Sequence, residues 1–481
     1  MSKNKYFFLV LVLLLTACNP PEKTTTIEIS TASENLNEAV LIRPIDGIIL
    51  WDNKKDTILG TKGNFSKTVL LDKPEFVRLV IDQLWIPLLI EPGKSYKILT
   101  DGKEFKFEGE NISGNKFFAR LKRPTNYEYE YFFEKDSSLI DIRNKVNRFK
   151  NKEIKYLDSL FELEEVSESY YVNIRRDIDY DYANLYVSVL NAKSAKGVLK
   201  THYVRSSIDS IFREYPINTK PLPLYWNTYV ENYLIYTQKS EQLASGKITY
   251  DSLQKLWEED KLHKRNIEII KNGLQEDFRE KAIANYLMKE SSQQKFEKSL
   301  IGLFKDFQDD YPKSNYSKYI LPEIQKIVIF YERAESPLSD NVRILEEEFN
   351  TLPELLEKFK GQKLYIDVWA TWCGPCVREF ESIPKSKKLL EQYNYKKLYI
   401  SFDNAKQQKK WLETIKYFDL KGFHYLANNK FIKDFSDKYS LMKGGYSIPQ
   451  YLLIDENGNI IAKNAPRPSQ IERLEKTLKS D

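Results

Sequence analysis

The stretch Lys363-Leu364-Tyr365-Ile366-Asp367-Val368-Trp369-Ala370-Thr371-Trp372-Cys373-Gly374-Pro375-Cys376 decides how the C-terminal third of this chain is read. Lys363 to Ala370 is a β-branched and aromatic run of the kind that forms a buried strand, and Val377 to Tyr393 beyond the cysteines predicts a helix. Two thiols are therefore expected at a helix N-terminus. Unpaired N–H groups and the helix dipole favour an anion there, which lowers the pKa of Cys373 and makes it a nucleophilic thiolate near neutral pH. Cys376, one turn deeper, can then attack a mixed disulfide on Cys373. Two intervening residues let the sulfurs bond when oxidised while both stay on one helix turn when reduced, so the pair can cycle.

Two blander readings of the pair are weak. As a structural staple it would close a loop far shorter than the 15-residue loop that yields ~3 kcal/mol, so it would stabilise little. As half a zinc site it lacks companions, because the third cysteine is Cys18 and no pair among His202, His263 and His424 has ligand spacing. No metal and no cofactor is expected. With only three cysteines in 481 residues, a disulfide framework is excluded as well.

Outward from the motif, the chain is too long for one hydrophobic core, and two to three domains are expected. Hydrophobic residues at 42% and aromatics at 14% exclude general disorder. The formal charge of +5 is a small balance of 74 basic against 69 acidic residues, and without a long run of one sign it gives no support to nucleic-acid binding. At the other end of the chain, Lys3 and Lys5 precede the apolar run Tyr6 to Leu15, which has the length of a secretory signal rather than of a membrane span. Its end, Leu15-Thr16-Ala17-Cys18, resembles the lipobox of bacterial lipoproteins, which implies a signal peptide over 1–17 and lipidation of Cys18. A tether over 18–26 follows, read from its prolines and threonines.

From Ile27 to about Glu110, apolar runs at Val40 to Ile42, Ile48 to Trp51, Val77 to Ile81 and Tyr96 to Leu99 are punctuated by Pro and Gly, and a small antiparallel β-domain is expected over 27–114. The period then becomes helical, as in Trp226, Tyr229, Val230, Tyr233 and Leu234, or Ile324, Ile327 and Val328, which predicts an all-helical middle domain over 115–340. Its tyrosines fall at core spacing more than as a groove lining. The breakers in Glu335-Ser336-Pro337-Leu338-Ser339-Asp340 place the last boundary before an α/β domain at 341–481.

Asp367 to Cys376 resembles the thioredoxins, and within them the membrane-tethered branch of cytochrome-maturation proteins and TlpA-type lipoproteins. The resemblance covers about Asn341 to Asp481 and implies a C-terminal α/β thioredoxin-like fold in a multidomain chain. It implies that Asp367, six residues before Cys373, is the buried carboxylate that takes the proton of the resolving thiol, a role suited by a raised pKa. Glu379 matches a glutamate that the cytochrome-maturation branch places beside its thiols, although a surface glutamate on a helix reads equally well. Ser447-Ile448-Pro449, followed by the apolar run Tyr451 to Ile454, resembles the cis-proline element that lies against the dithiol, so Trp372, Ile448 and Pro449 are expected to meet substrate around Gly374 and Pro375. Lys397 to Phe402 fits a further strand and Asp455-Glu456-Asn457-Gly458 a hairpin turn into Ile460 to Ala462. Glu381 stands where many family members carry a helix-kinking proline, and Pro384 follows three residues later. His424 falls in the Trp411 to Leu426 insertion typical of the tethered branch and reads as structural. The Ile90 to Tyr96 stretch is loosely similar to the β-domain that precedes thioredoxin modules in Bacteroidetes lipoproteins.

Together these readings predict extracytoplasmic thiol-disulfide exchange, with reduction of protein disulfides suggested by the Gly-Pro dipeptide. The expected partners are disulfide-containing protein substrates, a membrane electron donor and the membrane itself through the lipid anchor, in the cell envelope on the periplasmic side or at the outer membrane. A different reading makes the protein a cell-surface binding lipoprotein that uses the thioredoxin unit as a scaffold. A peroxidase is disfavoured because a CxxC dithiol suits exchange.

Overall fold

The computed structural model describes residues 23–33, 36–45, 55–82, 84–121, 133, 135–195, 201–218, 224, 226–234, 241–442 and 445–479. The expected signal peptide, Cys18 and the strand at Ile48 to Trp51 lie outside the described residues. The chain divides into two compact units, residues 1–241 and 242–481.

In the first unit, strands β1 (Lys23–Thr31), β2 (Glu38–Ile42), β3 (Lys55–Thr61), β4 (Asn64–Leu71), β5 (Glu75–Ile81), β6 (Leu84–Ile90), β7 (Ser95–Thr100) and β8 (Phe105–Gly109) form a sheet in the order β6-β5-β2-β3-β4-β1-β7-β8. Two expectations change. The tether reading ends before Lys23: the β-branched Thr24, Thr25 and Thr26 pair with Leu70, Val69 and Thr68, and the buried Thr25 hydroxyl donates to the Glu91 carbonyl at 2.8 Å. The sheet is also mixed rather than antiparallel throughout, because β1 enters between β4 and β7 and runs parallel to β7. Helices α1 (Ile112–Arg120), α2 (Leu139–Glu162), α3 (Glu168–Ala195), α4 (Thr201–Glu214) and α5 (Trp226–Leu234) follow. Tyr170, Ile174, Leu190 and Tyr229 join Phe76 and Leu89 of the sheet in one core, so the tyrosines here pack rather than line a groove.

Glu91 ties that sheet to those helices. Its carboxylate is buried and accepts from Asn111 Nδ2 at 2.6 Å and from the Ser167 hydroxyl at 2.8 and 2.9 Å, while its backbone N–H donates to the Tyr96 hydroxyl at 2.9 Å. Buried donors left without an acceptor are costly.

The second unit begins with α6 (Glu241–Ala244), at the division, and continues through α7 (Tyr250–Glu258), α8 (Leu262–Gly273), α9 (Glu276–Ser291), α10 (Ser299–Asp310) and α11 (Ser317–Ala334). The helical stretch is thus shared between the two units instead of forming one block. Strands β9 (Val342–Ile344), β10 (Lys363–Trp369), β11 (Tyr395–Ser401), β12 (Gly422–Leu426), β13 (Gln450–Ile454) and β14 (Ile460–Ala462) form a second sheet in the order β14-β13-β10-β11-β12-β9. β9 to β12 run parallel with one another, and β13 pairs antiparallel to β10. Alternation divides β10 cleanly. Leu364, Ile366 and Val368 join Leu398, Ile400 and Leu452 on one face, under α12 (Leu352–Glu357) and α16 (Asn429–Lys438). Tyr365, Asp367 and Trp369 point to the other face, where α13 (Gly374–Glu379), α14 (Ile383–Gln392) and α17 (Ile471–Lys479) lie with α15 (Gln408–Phe418) completing the unit. The expected single helix over Val377 to Tyr393 is interrupted at Phe380–Ser382 by a 3₁₀ turn, and Pro384 starts α14, where its missing N–H costs nothing.

A test of the first unit follows from Glu91. Glu91→Ala is expected to lower its stability by about 2–4 kcal/mol in urea unfolding, with Glu91→Gln losing less; an unchanged midpoint for the alanine variant would show that the Asn111 and Ser167 contacts contribute nothing.

Candidate active site

β10 ends at Trp369, and the following turn is held by a buried carboxylate. Asp403 accepts from the Thr371 N–H at 2.9 and 3.2 Å, from the Thr371 hydroxyl at 2.7 Å and from the Ser401 hydroxyl at 2.7 Å. Burial pushes the Asp403 carboxyl pKa up while these hydrogen bonds oppose it. The knot locks the residue before Trp372 to the end of β11. Nothing in the motif had marked Asp403, and its separation of 32 residues from Thr371 explains why local pattern could not find it.

Beyond the turn, Cys373 is the N-cap of α13 and its Sγ accepts from the Cys376 N–H at 3.2 Å. The two cysteines form a disulfide. Their environments differ in one decisive way: Cys373 keeps 6% of its surface exposed and Cys376 none. An incoming sulfur can therefore approach Cys373 alone. The Cys373 Sγ lies 3.7 Å from the Ile448 carbonyl oxygen, and the Ile448–Pro449 peptide bond is cis. Trp372 is partly exposed and has Tyr446 as an aromatic neighbour at 6.4 Å between ring centroids. Trp372, Cys373, Gly374 and the Ile448-Pro449 element are thus brought together, and Pro375 is exposed beside them.

Asp367 lies beneath this turn, paired in register with Tyr399 on one side and Tyr451 on the other. Burial pushes its carboxyl pKa up to about 8; the nearby Lys397 opposes that rise and Glu379 adds to it. Lys397, two residues from Tyr399 along β11, is itself brought down to about 8 by burial. Among the described residues, Asp367 Oδ1, Tyr399 OH, Tyr451 OH and Trp369 Nε1 are buried without hydrogen-bond partners. A carboxyl group held neutral in such surroundings can accept or release a proton near neutral pH.

Glu379 is placed differently from a free proton carrier. It accepts from the Ser469 N–H and hydroxyl, both at 3.0 Å, with Arg467 Nη1 at 3.8 Å. Its influence reaches the dithiol region through its charge beside Asp367. His424 is fully buried, stacked on Tyr399 at 4.7 Å, with Nε2 2.7 Å from the Leu420 carbonyl oxygen. Burial lowers its pKa to about 4, which leaves a neutral ring packed under the sheet. Among the described residues no group of three His, Cys, Asp or Glu side chains is placed to hold a metal ion.

The helices of 242–334 reach this site. A Cβ at Gly374 would come within 2.9 Å of the Gln293 carbonyl oxygen, so glycine is needed there for close approach. The adjacent Gln294 donates from Nε2 to Glu381 Oε1 at 2.6 Å. Glu381, at the position where many thioredoxin-like chains have proline, is here an anchor for the turn after α9. Phe296 stacks on Phe330 at 4.3 Å and also meets Tyr417 and Phe418 of α15.

Comparison with known proteins bears on the region that holds the dithiol. The Redoxin family model matches residues 350–478. The thiol:disulfide interchange protein DsbE of Vibrio cholerae is 31% identical over 105 residues, 21% of this chain and 49% of that protein. The thiol-disulfide oxidoreductase ResA of Bacillus thuringiensis is 27% identical over 134 residues, 26% of this chain and 66% of that protein. The chain thus spans about half to two thirds of the length of these curated relatives. Among solved structures, a Bacteroides vulgatus protein assigned as a thiol-disulfide oxidoreductase is 35% identical, covering 26% of this chain and 77% of that one with a TM-score of 0.21.

The raised pKa of Asp367 has a measurable sign. The folded state holds this proton more tightly than the unfolded chain, so the stability it contributes is complete below about pH 4 and is lost as pH rises through about 8. In the oxidised protein the urea midpoint should fall between about pH 5 and 8, and in Asp367→Asn that decline should flatten or reverse. An identical slope in both proteins would assign the titration to another group.

Proposed function

We propose that this chain, whose residues 350–478 form a thioredoxin-superfamily domain of the TlpA-like kind, exchanges dithiols for disulfides in other proteins through Cys373 and Cys376. The observation that carries the reading is the unequal exposure of two bonded cysteines at the start of a helix, with the Ile448 carbonyl beside the sulfur of the outer one.

In the reducing direction, the Cys373 thiolate attacks one sulfur of a substrate disulfide. A Cys373–substrate disulfide forms, the substrate S–S bond breaks and the first substrate sulfur leaves as a thiolate. Cys376 then gives its proton to Asp367 and attacks Cys373 Sγ. The mixed disulfide breaks, the second substrate sulfur leaves, and the Cys373–Cys376 disulfide forms. Two electrons have passed to the substrate. A dithiol donor returns them by the same steps in reverse. Asp367 is suited to the proton transfer because its carboxyl titrates within reach of neutral pH. The Ile448-Pro449 backbone offers hydrogen-bonding groups to an extended substrate strand lying across Cys373.

The lead segment ending at Cys18 supports action outside the cytoplasm on a lipid anchor, facing the periplasm or at the outer membrane, with a membrane protein as electron donor. The scaffold reading is less favoured, because a scaffold has no need of an attackable sulfur above a buried titratable carboxyl.

Cys376→Ser should trap the intermediate. Incubated with a disulfide-bonded protein, the reduced variant is expected to accumulate a reductant-sensitive adduct through Cys373, whereas Cys373→Ser should form none. Adducts of equal yield on both variants would overturn the assignment of Cys373 as the attacking residue.

A further inference from the structure

A cavity of about 390 Å³ opens beside the dithiol turn, walled partly by the helical segment and partly by the thioredoxin-like domain within the second unit. Its size is that of a small-ligand or side-chain pocket, which begins at roughly 300 Å³. Trp257 from α7, Tyr331 from α11 and Trp372 supply aromatic surface, and Thr371 places the cavity against the turn that Asp403 holds rigid. Trp257 is 47% exposed and so leaves aromatic surface open on the cavity wall.

The charged lining is unequal in what it still has to offer. Asp260 accepts from the Ser299 N–H at 2.7 Å and hydroxyl at 2.8 Å, Glu258 accepts from Gln254 Nε2 at 3.1 Å, and Glu297 faces His263 Nε2 at 3.4 Å. Lys410 is half-buried in the field of Glu297, Asp260 and Asp403. Lys295 and Lys406, by contrast, make no hydrogen bond or ion pair among the described residues, although Lys295 shares the field of Glu290 and Glu297. Asp260 is committed within the protein and Glu297 turns Oε1 to His263 while its buried Oε2 has no hydrogen-bond partner, and the ammonium groups of Lys295 and Lys406 are the lining donors that have no hydrogen-bonded acceptor among the described residues.

We propose that this cavity is a selectivity subsite that takes an aromatic side chain and a neighbouring carboxylate from the substrate polypeptide next to its disulfide. The aromatic group packs against Trp257 and Trp372, and the carboxylate meets Lys295 and Lys406. The position fits such a role, since Trp372 is both a wall of the cavity and the residue before the attacking sulfur. This assignment rests on the exchange reading above and names the substrates that the reading leaves open. It also gives the helical segment a task, because Trp257, Lys295 and Tyr331 all come from it.

The test uses the reduced full chain and two synthetic peptide disulfides that differ only in a Phe-Glu or an Ala-Lys pair near the cysteine, with glutathione disulfide as a reference. The wild type should favour the Phe-Glu peptide by about tenfold in kcat/KM. Trp257→Ala and Lys406→Glu should each remove most of that preference while leaving the rate on glutathione disulfide unchanged. Equal turnover of the two peptides, or variants that slow all three substrates alike, would overturn the subsite. A wild type inactive on all three would instead defeat the exchange reading. In that case binding of a cysteine-free Phe-Glu peptide, followed by tryptophan fluorescence, decides the subsite: saturable binding weakened in both variants upholds it, and no binding overturns it.

Discussion

A carboxyl group buried in the middle of a sheet is costly as an ion, and the second unit is arranged around that constraint. Asp367 sits on the central strand β10, flanked by tyrosines of β11 and β13 in register, under the turn that carries the cysteines. The desolvation that makes it expensive also brings its pKa toward neutrality. Lys397 moderates the rise, Glu379 reinforces it, and Ser469 holds Glu379 where it does so. Buried polar atoms without partners gather on the same strand and its neighbours. Such departures from the rule that buried polar groups are paired are expected where a site has to move protons.

Above that carboxyl, geometry separates the two sulfurs into unequal roles. The strand-to-helix turn buries Cys376 completely and leaves only an edge of Cys373 accessible, and the Asp403 knot keeps the turn from relaxing. The helical segment adds a second boundary. The Gln293 carbonyl stands close enough to Gly374 to require glycine, and the Gln294–Glu381 contact fixes the turn that presents it. The approach to Cys373 is therefore shaped by Gln293 and Gln294, which lie outside residues 350–478 matched by the family model.

Much of this was legible in the sequence where the signal is local. The apolar run of β10, the CxxC spacing, the Ile448-Pro449 element and the Asp455 to Gly458 turn each declare themselves within ten residues; the structure brings Ile448-Pro449 to the dithiol and sets the turn at the other end of β13. Features that depend on long-range packing were not readable. Asp403 meets Thr371 across 32 residues, and Gln294 meets Glu381 across 87. The parallel β1–β7 pairing gives no local sign, because strand periodicity does not encode direction. The division of the helical stretch between two units was equally hidden, since amphipathic spacing shows that a face is buried but not against what. Glu381, which stands where many thioredoxin-like chains carry a proline, is a contact residue, and Pro384 lies in the first turn of the next helix.

The account stands most directly on the claim that Cys373 and Cys376 are a reversible redox couple. Equilibrating the full chain in dithiothreitol or glutathione buffers of graded potential and counting free thiols by alkylation and mass measurement tests it. The account predicts a reversible two-electron transition at a strongly reducing potential, absent from Cys373→Ser; a pair that stays oxidised or stays reduced across the whole range would contradict it.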